Sequence, residues 1–205
     1  MQHTRLISAL AILAFAPAAF AVPDGPMPSR NAAAAGPQDP ESIARNNYNQ
    51  GHEAVQSAAK LELEAATMPG FAAQYADSAK SRLRSAREHF RKAVEVNPQM
   101  KEGWNMLGFT SRKLGDYEES LIAYERALSL SPNYPEAIEY RAELFLLTGR
   151  IADLKESYAT LLTLDQAYAG TLKTSMQDFL KAGKSFPASV SAKDREDFAK
   201  WVATL

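Results

Sequence analysis

The chain has 205 residues, of which 46% are hydrophobic, and this is enough to form one or two domains with a buried core. Its formal net charge is -1, so it lacks the excess of Lys and Arg with which nucleic-acid-binding proteins neutralise phosphates. Cysteine is absent, which excludes a disulfide framework and cysteine ligands for a metal.

The first 21 residues have the features of a secretory signal peptide. Arg5 and the amino terminus carry positive charge, an apolar stretch follows, and Ala19-Phe20-Ala21 has the small-x-small pattern of a cleavage site. The apolar stretch is shorter than the roughly 20 residues that span a bilayer, which disfavours the alternative of a membrane anchor. We therefore expect residues 1–21 to be removed by cleavage after Ala21.

Residues 22–40 are a predicted flexible linker, because they contain five of the eleven prolines and no apolar periodicity. A tether that assists export and unselected sequence both fit this composition. Val22 stands where bacterial lipoproteins carry their lipid-attachment cysteine. We expect a periplasmic or secreted protein without membrane insertion of the mature chain.

A helical pattern begins at Asp39-Pro40-Glu41, where a side-chain acceptor precedes a proline that needs no N–H donor. Two apolar stripes with helical spacing follow. Met68-Pro69-Gly70 separates them, and the second ends before Asn97-Pro98, which predicts two antiparallel helices. The stripes consist of Ile43, Asn47, Gly51, Ala54, Ala58, Leu61 and Ala65, and of Phe71, Tyr75, Ala79, Leu83, Ala86, Phe90 and Ala93.

An offset of 34 residues relates the next segment to its neighbours, and such a fixed period is the signature of a repeat protein. Similar residues recur at this offset in both directions. The pairs are Gly115 and Gly149, Tyr124 and Tyr158, Leu128 and Leu162, Leu130 and Leu164, Ser120 and Ala86, Tyr124 and Phe90, Ala127 and Ala93, and Pro132 and Pro98.

Residues 101–134 resemble the tetratricopeptide repeat, a pair of antiparallel helices. The residues that carry the resemblance are Trp104, Leu107, Gly108, Gly115, Tyr117, Tyr124, Ala127 and Pro132. Gly108 permits close helix approach, Gly115 a left-handed turn, and Asp116 with Glu119 a capping box. The resemblance implies an all-α, right-handed solenoid of helical hairpins over residues 41–166.

The flanking units are less regular. Gly51 to Pro98 spans 47 residues against 24 from Gly108 to Pro132, so residues 41–98 should form a hairpin lengthened by about three turns per helix. Residues 135–166 form a divergent third unit. In it Ala142, Ile138, Arg141 and Gln166 replace the glycine, the tryptophan, an apolar residue and the closing proline.

Residues 167–205 contain two more helical patterns, which we expect to cap the apolar end of the solenoid. One has a stripe formed by Tyr168, Leu172, Met176, Phe179 and Leu180. The other follows an N-terminal cap of Ser191 with Asp194 and presents Phe198, Trp201, Val202 and Leu205. The alternative is a partner-binding tail, which would leave Trp201 exposed.

No catalytic, cofactor-binding or metal-binding motif is complete. His52-Glu53 lacks the second histidine of a zinc-protease helix because Gln56 stands there. Ala182-Gly183-Lys184-Ser185 ends like a phosphate-binding loop, but Asp178 replaces the first glycine and a helix precedes it. We therefore predict a protein that is not an enzyme and uses no cofactor.

The repeat resemblance implies that the first helix of each unit lines a concave groove that holds a peptide or a partner helix. Aromatic rings and Met offer contact area there, Asn can bond to a peptide backbone, and charges orient a ligand; a merely solvated face is the alternative. The predicted groove residues are Tyr48, Asn49, His52, Asn105, Met106, Phe109, Arg112, Tyr140 and Glu143, together with Arg45, Gln56, Lys113, Glu136 and Glu139.

The function predicted from these patterns is protein–protein interaction, as an adaptor or assembly factor in the cell envelope. The glutamates of the third unit would repel a carboxylate, so a partner held by its carboxyl terminus is disfavoured. Two alternatives stay open, namely a self-associating structural protein and a regulatory subunit of an envelope enzyme.

Overall fold

The computed structural model describes residues 39–184 and 186–205, and these contain helices and turns but no strand. The predicted signal peptide and residues 22–38 of the predicted linker lie outside the described residues. The helices are α1 (Pro40–Thr67), α2 (Ala72–Val96), α3 (Lys101–Leu114), α4 (Tyr117–Leu130), α5 (Pro135–Thr148), α6 (Ile151–Leu164), α7 (Gln166–Lys181) and α8 (Ala192–Thr204).

Consecutive helices pack against each other along the chain, and α3 also contacts α5 as α5 contacts α7. This is the arrangement of stacked hairpins, in which the first helix of one unit lies beside the first helix of the next. The predicted all-α solenoid is thereby confirmed.

The first hairpin is longer than the others, as its sequence predicted. Helices α1 and α2 have 28 and 25 residues, whereas each helix from α3 to α6 has 14. Asp39 caps α1 by accepting a hydrogen bond from the Ser42 amide at 3.0 Å, and α1 ends at the predicted break before Met68. The outer half of the hairpin has a small core of Ala58, Ala79 and Leu83.

The second hairpin, α3 and α4, owes its close packing to two glycines. Gly115 has a φ of 85°, in the left-handed region that glycine adopts without steric cost. A Cβ atom on Gly108 would lie 2.6 Å from the Tyr124 ring, so a side chain at this position would collide with α4. Both predicted roles are confirmed.

The predicted capping box at the start of α4 is only half correct. The Asp116 side chain accepts from the Glu119 amide, as expected, but the Asp116 amide donates to the Ser111 carbonyl oxygen. The Glu119 carboxylate instead accepts from the Ser111 hydroxyl at 2.7 Å and from Arg91 of α2 at 2.6 Å. The tertiary partners of Glu119 thus replace the local one.

The C-terminal helices cover the end of the third hairpin. Trp201 is half-buried, with its ring centre 5.7 Å from that of Tyr158 on α6, and Phe198 is fully buried. Ser191 caps α8 by accepting from the Asp194 amide. The position of Trp201 supports capping over a free tail.

Candidate binding surface

The predicted groove residues lie on α1, α3 and α5, the first helices of the three hairpins, and we call this surface the inner face. Of the nine residues named first in the predicted groove, Asn49 and Glu143 are half-buried. The other seven are at most 8% exposed, namely Tyr48, His52, Asn105, Met106, Phe109, Arg112 and Tyr140. The inner face is therefore less open than the sequence suggested, because most of these side chains also pack in the protein core.

One cluster joins the second and third hairpins across the inner face. The ring centres of Phe109 and Tyr140 are 5.2 Å apart, and the Arg112 guanidinium carbon lies 5.7 and 5.6 Å from them. Arg112 also forms an ion pair with Glu143, with 2.6 Å between Nη2 and Oε2. The structure thus brings together four residues predicted separately from two repeats.

The charge of Arg112 is fixed by this cluster. Burial alone lowers the pKa of Arg112, but the negative charge of Glu143, aided by Tyr124 and Glu139, raises it above its ordinary value. The Nε group of Arg112 donates to the Tyr124 hydroxyl at 3.3 Å, and burial raises the pKa of Tyr124 to about 12. The Arg112 cation of α3 and the neutral Tyr124 phenol of α4 therefore stand side by side at neutral pH.

On α1, the inner face is aromatic. Tyr48 is fully buried, lies edge-on to Phe90 with ring centres 5.6 Å apart, and is 6.3 Å from the His52 ring. His52 also begins the incomplete zinc-protease pattern of the sequence. Its position in this aromatic layer of α1 gives it a packing role.

A hydrogen-bond chain links α3 to the start of α5. The Asn105 side-chain amide donates to the Tyr134 hydroxyl at 3.4 Å, and that hydroxyl donates to Glu136 Oε2 at 2.9 Å. Tyr134 was absent from the predicted site. Its position directly before Pro135 marks the start of a helix but does not indicate a binding residue. Its role depends on Asn105, which lies 29 residues earlier.

Three glutamates, Glu136, Glu139 and Glu143, follow one another along the inner face of α5 at helical spacing. Glu136 and Glu139 are each 2% exposed. Burial raises the pKa of Glu139 well above its ordinary value, and the charge of Glu143 raises it further, whereas Arg112 opposes the shift. The third hairpin thus contributes an acidic inner face.

Two further contacts to inner-face residues come from the extended part of α1 and from α7, which the 34-residue repeat pattern does not place near the groove. Lys113 on α3 forms an ion pair with Glu62 in the extended part of α1, with 2.9 Å between Nζ and Oε1. Ser175 on α7 donates to Glu143 Oε1 at 2.7 Å. The long hairpin and the C-terminal cap therefore border the inner face on either side.

The side chains considered for catalysis remain dispersed. In the described part of the chain, no group of three or more His, Asp or Glu residues is placed to hold a metal ion. No helix within those same residues is both long and apolar enough to cross a bilayer.

Comparisons with known proteins agree with this geometry. The tetratricopeptide repeat family matches residues 101–134. A peroxisomal targeting signal receptor from Kluyveromyces lactis is 36% identical over 74 residues, which make up 36% of this chain and 12% of that receptor. The match thus concerns a small part of the receptor's length.

The fold defines a helical repeat protein of stacked hairpins. More specifically, residues 101–134 match the tetratricopeptide repeat, and the hairpins on either side of them stack in the manner of such repeats. Repeats of this family form interaction modules, and its members are generally scaffolds without catalytic activity.

Proposed function

We propose that this protein is an exported, non-catalytic adaptor or assembly factor that binds a peptide or helix on its inner face. The observation that carries the proposal is the cluster of Phe109, Arg112, Tyr140 and Glu143. It joins neighbouring repeats through two largely buried aromatic rings and a fixed ion pair, of which the half-buried Glu143 is the most accessible member. Rigid aromatic anchors beside ordered charges are the features that dominate binding energy in protein interfaces.

A peptide selection on the full chain tests the site. Peptides selected from a displayed library would be measured against the unchanged protein and against Asn49→Ala and Glu143→Gln, which alter half-buried positions of the inner face. We expect affinity to fall about fivefold or more, as for a loss of roughly 1 kcal/mol of contact energy.

The matched control is Ile122→Ala on α4, where the side chain is 59% exposed and belongs to the second helix of its hairpin. Circular dichroism should show a folded protein in every case, with similar melting temperatures for the unchanged protein, Asn49→Ala and Ile122→Ala. Glu143→Gln should melt at a lower temperature, because it removes the carboxylate that pairs with Arg112. Peptides that tolerate both inner-face substitutions but lose affinity for Ile122→Ala would assign binding to the outer helices.

Export is proposed from the sequence alone, with residues 1–21 as signal peptide and 22–40 as linker. Expression of the full chain in a bacterium, fractionation and intact-mass measurement give the amino terminus directly. A mature chain that begins at Val22 in the periplasmic or secreted fraction is expected. A full-length chain that starts at Met1 and stays in the cytoplasm would refute this part of the proposal.

Self-association is the second candidate, and the tip of the first hairpin favours it. Leu63, Met68 and Phe71 are 53%, 46% and 60% exposed there, an apolar group far from the capped end of the solenoid. Light scattering over a range of concentrations would show a mass that rises for the unchanged protein and stays monomeric for Phe71→Ser. A constant monomer mass for both would dismiss this candidate.

A further inference from the structure

On the inner face, buried acceptor atoms of α3 and α5 have no hydrogen-bond donor among the described residues. Among them are Oε1 of Glu139, whose side chain is 2% exposed, and Oδ1 of Asn105, which is fully buried. A buried acceptor without a donor is destabilising, because water no longer solvates it and no protein group replaces the water. A hydrogen-bond donor supplied by a bound partner would remove this cost.

The two acceptors belong to the same region of the inner face. Tyr134 joins Asn105 to Glu136 through two hydrogen bonds. Glu136 and Glu139 are three residues apart on α5, so their side chains lie on the same side of that helix. Asn105 on α3 and the two glutamates on α5 therefore belong to one region between the second and third repeats.

The electrostatic environment of this area favours a positively charged ligand group. Glu136 and Glu143 flank Glu139, and the neighbouring cation Arg112 is already bonded to Glu143 and to Tyr124. Burial and the nearby carboxylates raise the pKa of Glu139 despite Arg112. Arg112 thus stands beside three glutamates, and Lys184 is a second cation near Glu143.

We propose that this area is a subsite for a cationic side chain, lysine or arginine, of the bound peptide, with Glu139 Oε1 and Asn105 Oδ1 as acceptors. The inference rests on the proposed function, since it names the chemistry of the peptide that the inner face holds. Lysine and arginine carry only donors and match two open acceptors. An apolar side chain would leave both acceptors unsatisfied, and an acidic one would meet like charge.

The test uses four pools of short fluorescent peptides with acetylated and amidated ends. The pools share the same degenerate flanking residues and differ only at the centre, which is lysine, arginine, norleucine or glutamate. Fluorescence anisotropy with the full chain should give about fivefold tighter binding for the lysine and arginine pools than for the norleucine pool, the change expected from one charge-assisted hydrogen bond. The glutamate pool should bind most weakly.

The Glu139→Gln variant keeps the size of the side chain but cannot become an anion when a cation binds, so the preference for the cationic pools should fall below about twofold. Glu118→Gln, at an exposed position of α4, is the matched control and should retain the full preference. The comparison of the four pools on the unchanged protein does not depend on the folding of any variant.

The outcomes separate this inference from the proposed function. If no pool binds, the proposed peptide-binding function fails and the subsite with it. Equal binding of the lysine, norleucine and glutamate pools would leave the peptide-binding function standing and overturn the subsite alone. A cationic preference that survives intact in a folded Glu139→Gln protein would also overturn it, because the cation would then bind elsewhere.

Discussion

The outer half of the first hairpin and the second hairpin show how position in the stack determines burial. At the outer end of α1 and α2, Leu63 and Phe71 are more than half exposed, and the core there consists of small residues and one leucine. On α3, by contrast, every residue from Asn105 to Arg112 is buried. A hairpin between two neighbours buries both its faces, whereas the projecting part of the first hairpin packs mainly against its own partner helix, with Lys113 and Leu114 of α3 as further contacts.

The largest effect in this comparison is expected from two phenylalanines of the first hairpin. Phe90 is fully buried beside Tyr48, so Phe90→Ala should lower the free energy of unfolding by about 3–5 kcal/mol. Phe71→Ala, at the exposed tip, should change it by less than about 0.5 kcal/mol. Urea unfolding followed by circular dichroism measures both. Similar losses for the two would mean that the tip is packed in solution.

An intermediate effect on stability is expected at two helical glycines, one in close contact with a neighbouring helix and one in open space. In Gly108→Ala the new Cβ atom meets the Tyr124 ring, and we expect a loss of about 1–3 kcal/mol. At Gly170 on α7, no atom lies within 4 Å of the place a Cβ would take, so Gly170→Ala should stabilise the protein by about 0.5–1 kcal/mol. Thermal unfolding separates the two by opposite shifts of the melting temperature. A stabilising Gly108→Ala would contradict the close contact of α3 with α4.

The smallest effect is expected from Glu119 of α4, whose carboxylate pairs with Arg91 of α2 and so connects the first and second hairpins. Burial alone would raise the pKa of Glu119, but hydrogen bonds from Ser111 and Arg91 and the positive charge of Arg87 lower it. Because the pKa is lower in the folded state, the stabilisation is present above the ordinary glutamate pKa and is lost as pH falls through the folded value. Glu119→Gln should cost up to about 1 kcal/mol at neutral pH, since solvent screens a partly exposed pair.

The control for this contact is Glu118→Gln, which changes the exposed neighbouring residue. Unfolding curves at several pH values should show the deficit of Glu119→Gln shrinking as the solution becomes acidic. A deficit that is independent of pH would assign the role of Glu119 to shape rather than to charge.

Much of the fold was predictable because its signals are local. Asp39 and Ser191 cap helices with their own side chains, Met68-Pro69-Gly70 interrupts a helix, and Gly115 supplies a left-handed residue. Each depends on backbone geometry within a few residues. The repeat period then predicted how the resulting hairpins stack.

For the candidate site, the sequence predicted which helices carry the residues but not which of these residues contact one another. The spacing placed Phe109, Arg112, Tyr140 and Glu143 on first helices, but not in one cluster with Tyr124. Glu119 was assigned a local cap because its tertiary partner Arg91 lies 28 residues away. Arg141, expected at an apolar position, lies half-buried with its guanidinium carbon 5.3 Å from the Phe145 ring centre.

The sequence by itself determined where the helices begin and end and that they repeat every 34 residues, because capping, helix-breaking residues and periodicity act over one or two turns. Tertiary structure alone decided how deeply the inner face is buried, which carboxylates pair with Arg112, and which acceptors stay open at Asn105 and Glu139. Those properties depend on distances between residues far apart in the chain, and packing sets such distances.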